Sequence, residues 1–529
     1  MSKKRDNELD RRSFVTGAIG AAAGIGALLT GPAQAQQSTP AQRPAAAPGA
    51  EDIPPQMRRP QSLYRLEADV RDCQVTGRVP TDLSGAFYRV GPDAQYPLAP
   101  GNIPFDGEGH VSMFRIKDGR VDYRSRFVRN ERYMAQDKAR RALFPMYRNP
   151  SLDDPSVKGL SRSTANTHII NHKNLLLALK EDSPPSALDL LTLDTVVPSY
   201  TFDGQLPSRT FTAHPKLDSE TGNMVAFGYE AEGHGSDVVS MFEITPQGRM
   251  VWNTKIQVPY VGMLHDFAVT QKHIVFYVIP LAFDEAQMSK GGIHWSWDAA
   301  KPTYFGFVRR GGDGKDVRWI EGPTRSATHV MGAFDDGEKI VVDVEMSMAN
   351  PFPFMPQRDG SPWNPVAGSS HITRLSVDLS RRRPSSYGIE QMYPHVGALP
   401  RQDDRYNTVP YRYGFLGCPD PSVPDPRAAG ACYARFDHQN RTSTLFNAGR
   451  ETSLAECCFA PRSGDAPEGA GYLLGVATRG NENGRADLVI LDAEHLADGP
   501  VATVHLPMRA IGQIHGWWVP EAQLPAPSA

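Results

Sequence analysis

Short apolar runs, many alternating with polar residues, are broken along most of the chain by turns rich in Gly, Asp and Pro. Val111-Ser112-Met113-Phe114-Arg115-Ile116 is an extended run with partial alternation. Lys117-Asp118-Gly119-Arg120 makes a tight turn, and Val121 to Phe127 alternates after it. Two extended runs around Asp-Gly predict a β-hairpin, since Asp-Gly tolerates the positive φ of the tightest turns. The unit recurs. Met241 to Thr245 leads through Pro246-Gln247-Gly248 to Met250-Val251-Trp252, and Ala333-Phe334 through Asp335-Asp336-Gly337 to Lys339–Val344. Leu488 to Asp492 leads through Asp498-Gly499-Pro500 to Val501–Val504. Phe267-Ala268-Val269 precedes a second run, His273 to Ile279. Hairpins without regular strand–helix alternation predict an all-β fold. Many small sheets in series are compatible with a propeller, and a two-domain β-sandwich protein is the alternative. No strict repeat decides between them.

Two segments break the pattern. Tyr133 to Leu143 has helical composition. Ala349 to Gln357 is apolar and rich in proline, so it is expected as a loop roofing a pocket rather than a regular element.

The N-terminus reads as an address. Arg11-Arg12-Ser13-Phe14-Val15 precedes an apolar Gly/Ala-rich run from Gly17 to Leu29, and Ala33-Gln34-Ala35 offers a processing site. The paired arginines resemble a bacterial twin-arginine signal, so residues 1–35 are expected to direct export to the periplasm and then be removed. Residues 36–60, rich in Pro, Ala and Gln, are expected as a disordered linker. Residues 61–529 form the remaining unit. No later stretch is apolar and long enough to span a bilayer, so no stable membrane anchor is expected after processing.

Composition narrows the classes. With 529 residues, 40% hydrophobic and 22% charged, the chain matches a soluble globular protein. A net charge of −3 with interspersed signs gives no nucleic-acid surface. The 47 glycines and 45 prolines suit a turn-rich β protein. Among five cysteines, Cys418 and Cys432 flank a Pro/Gly/Asp-rich loop and either pair in an oxidising compartment or stand as free thiols. The adjacent Cys457 and Cys458 lack zinc-site spacing, and Cys73 reads as a buried thiol.

The candidate chemistry lies in histidines beside strands. His265 heads the run Met263-Leu264-His265-Asp266-Phe267; His214 follows Phe211-Thr212-Ala213; His329 follows Ala327-Thr328; His515 precedes Gly516-Trp517-Trp518. Their separations are far too wide for a zinc finger or one helix face, so only a closed fold brings them together.

Five motifs add to this reading. Phe105-Asp106-Gly107-Glu108-Gly109-His110, Leu177-Ala178-Leu179-Lys180-Glu181-Asp182, Ala213-His214-Pro215-Lys216, Met263 to Phe267 and Ile514-His515-Gly516 resemble, in order, those of the carotenoid cleavage oxygenases. The resemblance implies a seven-bladed β-propeller, with loops and short helices capping an iron(II) on its axis. His214, His265, His329 and His515 match the iron-binding histidines. It also implies carboxylates behind the rings, which would accept the second N–H and offset charge. Glu181 and Glu456 match two of them. The third normally opens a Glu-Leu/Phe-Pro-Arg motif that here reads Ala398-Leu399-Pro400-Arg401, so that glutamate is missing; Glu390 lies upstream without being aligned. Four imidazoles leave open positions on an octahedral ion, unlike the two-His, one-carboxylate arrangement.

The implied reaction is oxidative cleavage of a conjugated C=C bond by O₂ into two carbonyl products. Phe105, Tyr147 and Lys180 look like the substrate-binding residues of the lignostilbene-cleaving branch. Lys180 and Tyr147 would act as a catalytic pair on a phenol. A lysine with a tyrosine can grip a phenolic hydroxyl and help remove its proton, and a carotenoid hydrocarbon offers no such handle. The expected function is therefore cleavage of the central double bond of a 4-hydroxystilbene into two aromatic aldehydes. Cleavage of an isoprenoid carotenoid or apocarotenoid is the alternative.

Overall fold

The computed structural model describes residues 64–380, 384–425 and 428–526. The expected export signal and linker lie outside the described residues. These form a seven-bladed β-propeller. Among them no helix is long and apolar enough to cross a membrane.

Blade II comprises His168–His172, Leu175–Leu179, Ser186–Leu188 and Thr195–Val197. Blade III comprises Lys216–Leu217, Met224–Gly228, Val238–Ile244 and Met250–Gln257, and blade IV Phe267–Val269, His273–Val278, Thr303–Arg309 and Arg318–Gly322. Blade V follows with Ser326–Asp336, Lys339–Ser347, Ser370–Asp378 and Gly388–Val396, and blade VI with Ala398–Gln402, Tyr413–Pro419, Ala431–Asp437 and Thr442–Asn447.

The other two blades close the ring with strands from both ends of the chain. Blade I joins Ala68–Val70, Gly85–Asp93, Glu108–Lys117 and Arg120–Phe127 to the C-terminal strand His515–Pro520, which pairs with Gly85–Asp93. Blade VII holds Thr452–Leu454, Cys458–Pro461, Gly471–Arg479, Arg485–Asp492 and Pro500–Arg509, and adds Gln74–Gly77 at its outer edge.

All four predicted hairpins form. In the first, Lys117 pairs with Arg120 across Asp118 (φ 52°) and Gly119 (φ 75°), the left-handed pair that a tight hairpin turn requires. Inner and middle strands are buried on both faces by the neighbouring blades, so Leu175–Leu179 and His273–Val278 read as continuous apolar runs. An outer strand such as Met250–Gln257 has one face in solvent and alternates.

The predicted helix is shifted and shorter, spanning Glu131–Ala139. Asn130 caps its start by accepting from Tyr133 N, and Arg140 ends it in the left-handed region (φ 56°). Leu143 N donates to Gln136 Oε1 (2.9 Å), which folds the chain back over the last turn. A hairpin, Leu281–Phe283 with Trp295–Trp297, leaves blade IV and carries the helix Glu285–Ser289. The proline-rich segment forms no helix or strand, as expected, and seats Phe354 and Met355 in the largest apolar cluster.

Candidate metal centre

Each of the four histidines sits on or just before the innermost strand of its blade: His214 in III, His265 in IV, His329 in V and His515 in I. One end of each inner strand reaches the central axis, which is why residues so distant in sequence converge. Their ligand nitrogens all lie within 4.8 Å of one another. His265 Nε2 is 3.3 Å from His214 Nε2 and 3.0 Å from His329 Nε2. His515 Nε2 is buried without a hydrogen-bond partner.

Carboxylates fix three of the rings from behind. His265 Nδ1 bonds Glu181 Oε1, His329 Nδ1 bonds Glu345 Oε2 (2.8 Å), and His515 Nδ1 bonds Glu456 Oε1 (2.8 Å). A carboxylate on Nδ1 selects the Nδ1–H tautomer and leaves Nε2 as a bare lone pair facing the axis. Three such rings and His214 form an all-imidazole donor set, which suits iron among the first-row metals. The residues present therefore fit the implied ion.

Residues close behind three of the ligands help lock the cluster. Asp266 accepts from Val330 N (2.8 Å) and pairs with Lys216 Nζ (2.7 Å), so the neighbours of His265, His329 and His214 are tied together. The fully buried Arg89 donates to the carbonyls of Gln513 (3.1 Å), Ile514 (2.9 Å) and Glu456, holding the loop that delivers His515. Electrostatics follow from burial. Burial and the neighbouring rings hold His214 and His515 well below the usual histidine range, so both are neutral and ready to ligate. Burial also opposes charge on His329, but Glu345 overrides it and pushes that ring up. Glu181 is held down at about 2, because His265 outweighs the cost of its burial.

Beside this cluster, Lys180 directly follows the strand Leu175–Leu179, next to Glu181, and is buried (6% exposed). Its Nζ lies over the face of Tyr147, 5.2 Å from the ring centroid, and its charge helps hold Glu181 down. Tyr147 is buried, and burial pushes its phenol well up. Phe105 is half-buried and edge-on to Phe354 (5.3 Å), in the same apolar cluster as Tyr147. The proline-rich loop therefore packs against Phe105.

A family model described as retinal pigment epithelial membrane protein matches residues 62–520. The chain belongs to this family, the carotenoid cleavage oxygenases. Members are non-haem iron enzymes that cleave C=C bonds. The oxygenase is 38% identical to lignostilbene-alpha,beta-dioxygenase isozyme III of Sphingomonas paucimobilis, over 87% of this chain and 96% of that one. It is 37% identical to isoeugenol monooxygenase of Pseudomonas putida, over 88% and 98%. The crystal structure of Pseudomonas brassicacearum lignostilbene dioxygenase superposes with a TM-score of 0.83 at 37% identity, covering 91% of this chain and all of that one.

One expectation is corrected in the oxygenase. The carboxylate missing at Ala398 is supplied by Glu345, from the adjacent blade. Glu345 also accepts from Leu399 N (3.1 Å), whose left-handed backbone (φ 58°) turns that N–H toward it. Glu390 takes no part: it lies on the outer strand of blade V, exposed and paired with Arg441 (3.0 Å). Glu345 had only a partial signal in the sequence. Counting outward from the Asp336–Lys339 pair puts it opposite Val330, and register shifts on this strand pair move it to the Thr328-His329 step, between the pairs Ala327–Met346 and Val330–Val344. Tyr229 and Arg148 had none. Tyr229 OH donates to Glu181 Oε2 (2.6 Å) and Arg148 Nη1 to Tyr229 OH (2.8 Å), a third tier behind His265. Cys418 and Cys432 face each other on paired strands as free thiols, and burial pushes the Cys432 thiol up to about 12.

Proposed function

We propose that this chain is an iron(II)-dependent dioxygenase that cleaves the central double bond of 4-hydroxystilbenes with O₂, giving two aromatic aldehydes. His214, His265, His329 and His515 would hold the iron, which supplies the O₂-activating chemistry. The observation that carries the substrate reading is the buried pair Lys180 and Tyr147, one residue from Glu181. The Lys180 ammonium presents N–H donors beside the Tyr147 ring. A phenolic oxygen can accept from them; a carotenoid hydrocarbon has no acceptor to offer.

The residues then divide the work. The Lys180 ammonium stabilises phenolate character by charge. Tyr147, kept protonated by burial, donates a hydrogen bond to the same oxygen. Phe105 and Phe354 present ring edges and faces for the substrate's arene, where stacking is worth about 0.5–1.5 kcal/mol beyond buried area. A phenolate pushes electron density along the conjugated system to the scissile bond, which is the purpose of gripping the ring hydroxyl. The names of the relatives support this reading, since lignostilbenes and isoeugenol are both phenols with a ring-conjugated alkene.

The test is aldehyde formation by the iron-loaded protein from a 4-hydroxystilbene, isoeugenol and an apocarotenal. Two aromatic aldehydes from the stilbene support the reading. Iron binding with activity on the apocarotenal alone overturns it. The Arg11-Arg12 pattern supports periplasmic export. Retention of an Arg11→Lys/Arg12→Lys chain in the cytoplasm is the expected result of cell fractionation.

A further inference from the structure

Away from the axis, a second group of side chains has the layout of a metal site. His294 is fully buried at the base of the blade IV hairpin, and its Nε2 faces both oxygens of Glu230, at 2.9 and 3.1 Å. Two carboxylate oxygens can only accept, so Nε2 carries the proton and Nδ1 is a bare lone pair. That lone pair faces Met288 Sδ at 3.2 Å and His234 Nδ1 at 3.3 Å. A thioether has no proton to give. The three atoms thus form a set of donors in the metal-ligand sense, with a carboxylate behind the central imidazole, as behind His265, His329 and His515.

We propose that His234, Met288 and His294 bind a soft monovalent cation, copper(I), at a site separate from the iron. The spacing fits. Two nitrogens 3.3 Å apart, each about 2.0 Å from one ion, subtend about 110°, the angle of a trigonal-to-tetrahedral site. The donor type selects the metal, because a thioether with imidazoles favours copper(I) over harder ions. Charge points the same way. Glu230 is not free to ligate: Arg148 takes one oxygen, and Gly235 N (2.6 Å) with His294 takes the other. The remaining donors are neutral, which suits a monovalent ion better than zinc(II).

The surroundings are built to hold this geometry. Glu230 (φ 48°) and Arg148 (φ 50°) both adopt left-handed backbones that non-glycine residues rarely take. Arg148 lies between the rings of Tyr229 (5.2 Å) and Trp295 (5.1 Å). Asn149 Nδ2 donates to the carbonyls of Met288 (2.9 Å) and Gly292 (2.7 Å), fixing the short helix that carries the sulfur. His234 is exposed, which gives an ion its entry.

The experiment uses the full, iron-loaded chain without an affinity tag. Copper(I) is titrated anaerobically against a coloured copper(I) chelator, and copper and iron per chain are then measured by elemental analysis. The proposal expects one copper per chain with iron content unchanged, and a copper–sulfur shell in X-ray absorption. Met288→Leu should remove that shell and weaken binding about tenfold or more, and His234→Asn should weaken it similarly. Both positions reach the surface, so circular dichroism should show both variants folded. The proposal is overturned if no copper is retained, or if copper enters only as iron leaves. Binding unchanged in both variants overturns it too, as does zinc(II) bound as tightly as copper(I) and indifferent to Met288→Leu.

Discussion

Removing Glu345 isolates the part of the iron site that the family motif does not supply. Glu345→Ala deletes the acceptor for two buried donors, His329 Nδ1–H (2.8 Å) and Leu399 N–H (3.1 Å). Loss of a carboxylate behind a ligating imidazole typically costs 10–100-fold in metal affinity, or about 1.4–2.7 kcal/mol. The stranded amide adds a stability cost of about 1–3 kcal/mol, which urea unfolding of the apoprotein reads separately. Glu345→Gln keeps an acceptor without the charge and should fall between wild type and Glu345→Ala. Adding Ala398→Glu to Glu345→Ala restores a carboxylate where the family motif carries one, and should recover most of the lost affinity. The assay is anaerobic iron(II) titration against a competing chelator. Unchanged iron affinity in Glu345→Ala, with the protein folded, would refute the argument that this carboxylate supports the centre.

Other outcomes follow from the same geometry. Lys180→Met keeps the stem's bulk and removes a charge-assisted contact worth about 1.5–3 kcal/mol, so kcat/KM on a 4-hydroxystilbene should fall about 10–150-fold with iron content unchanged. Tyr229→Phe breaks the 2.6 Å bond to Glu181 and strands Arg148 Nη1, and should cost about 1–3 kcal/mol in urea stability. His438 is held at about 4 by burial, against an ordinary value of 6.5. The unfolded chain takes up that proton first, so this group's contribution is intact above pH 6.5 and is lost as pH falls toward 4, about 2 kcal/mol by pH 5. His438→Gln should shrink the difference in urea stability between pH 7.5 and pH 5 by that amount, and an unchanged difference would contradict the assignment.

What the sequence disclosed follows from the range over which each contact acts. The hairpin around Asp118-Gly119 is local: two adjacent left-handed residues and flanking alternation suffice to specify it. Blade number and closure are not local. His515–Pro520 pairs with Gly85–Asp93 from the other end of the chain, and nothing in either stretch names its partner. The Arg89 clamp on Ile514 shows the same distance problem. Three of the four ligands, His214, His265 and His515, were legible because each is embedded in a short motif whose neighbours, Lys216 and Asp266 among them, brace the cluster, and His329 followed from the family match to the set. Glu345 sits in no such motif, and the register shifts between its strand and that of His329 hide it from a simple count. Tyr229, Arg148 and Glu230 are assembled by left-handed backbone turns at residues that composition gives no reason to place there.

The most direct test of the central claim compares a 4-hydroxystilbene with its 4-methoxy analogue, on the iron-loaded wild type and on Lys180→Met. The methoxy group keeps size and conjugation but cannot become a phenolate. Selective cleavage of the hydroxy compound by the wild type, with the preference largely lost in the variant, is the predicted result. Equal cleavage of both compounds by the wild type would contradict phenol activation by Lys180 and Tyr147.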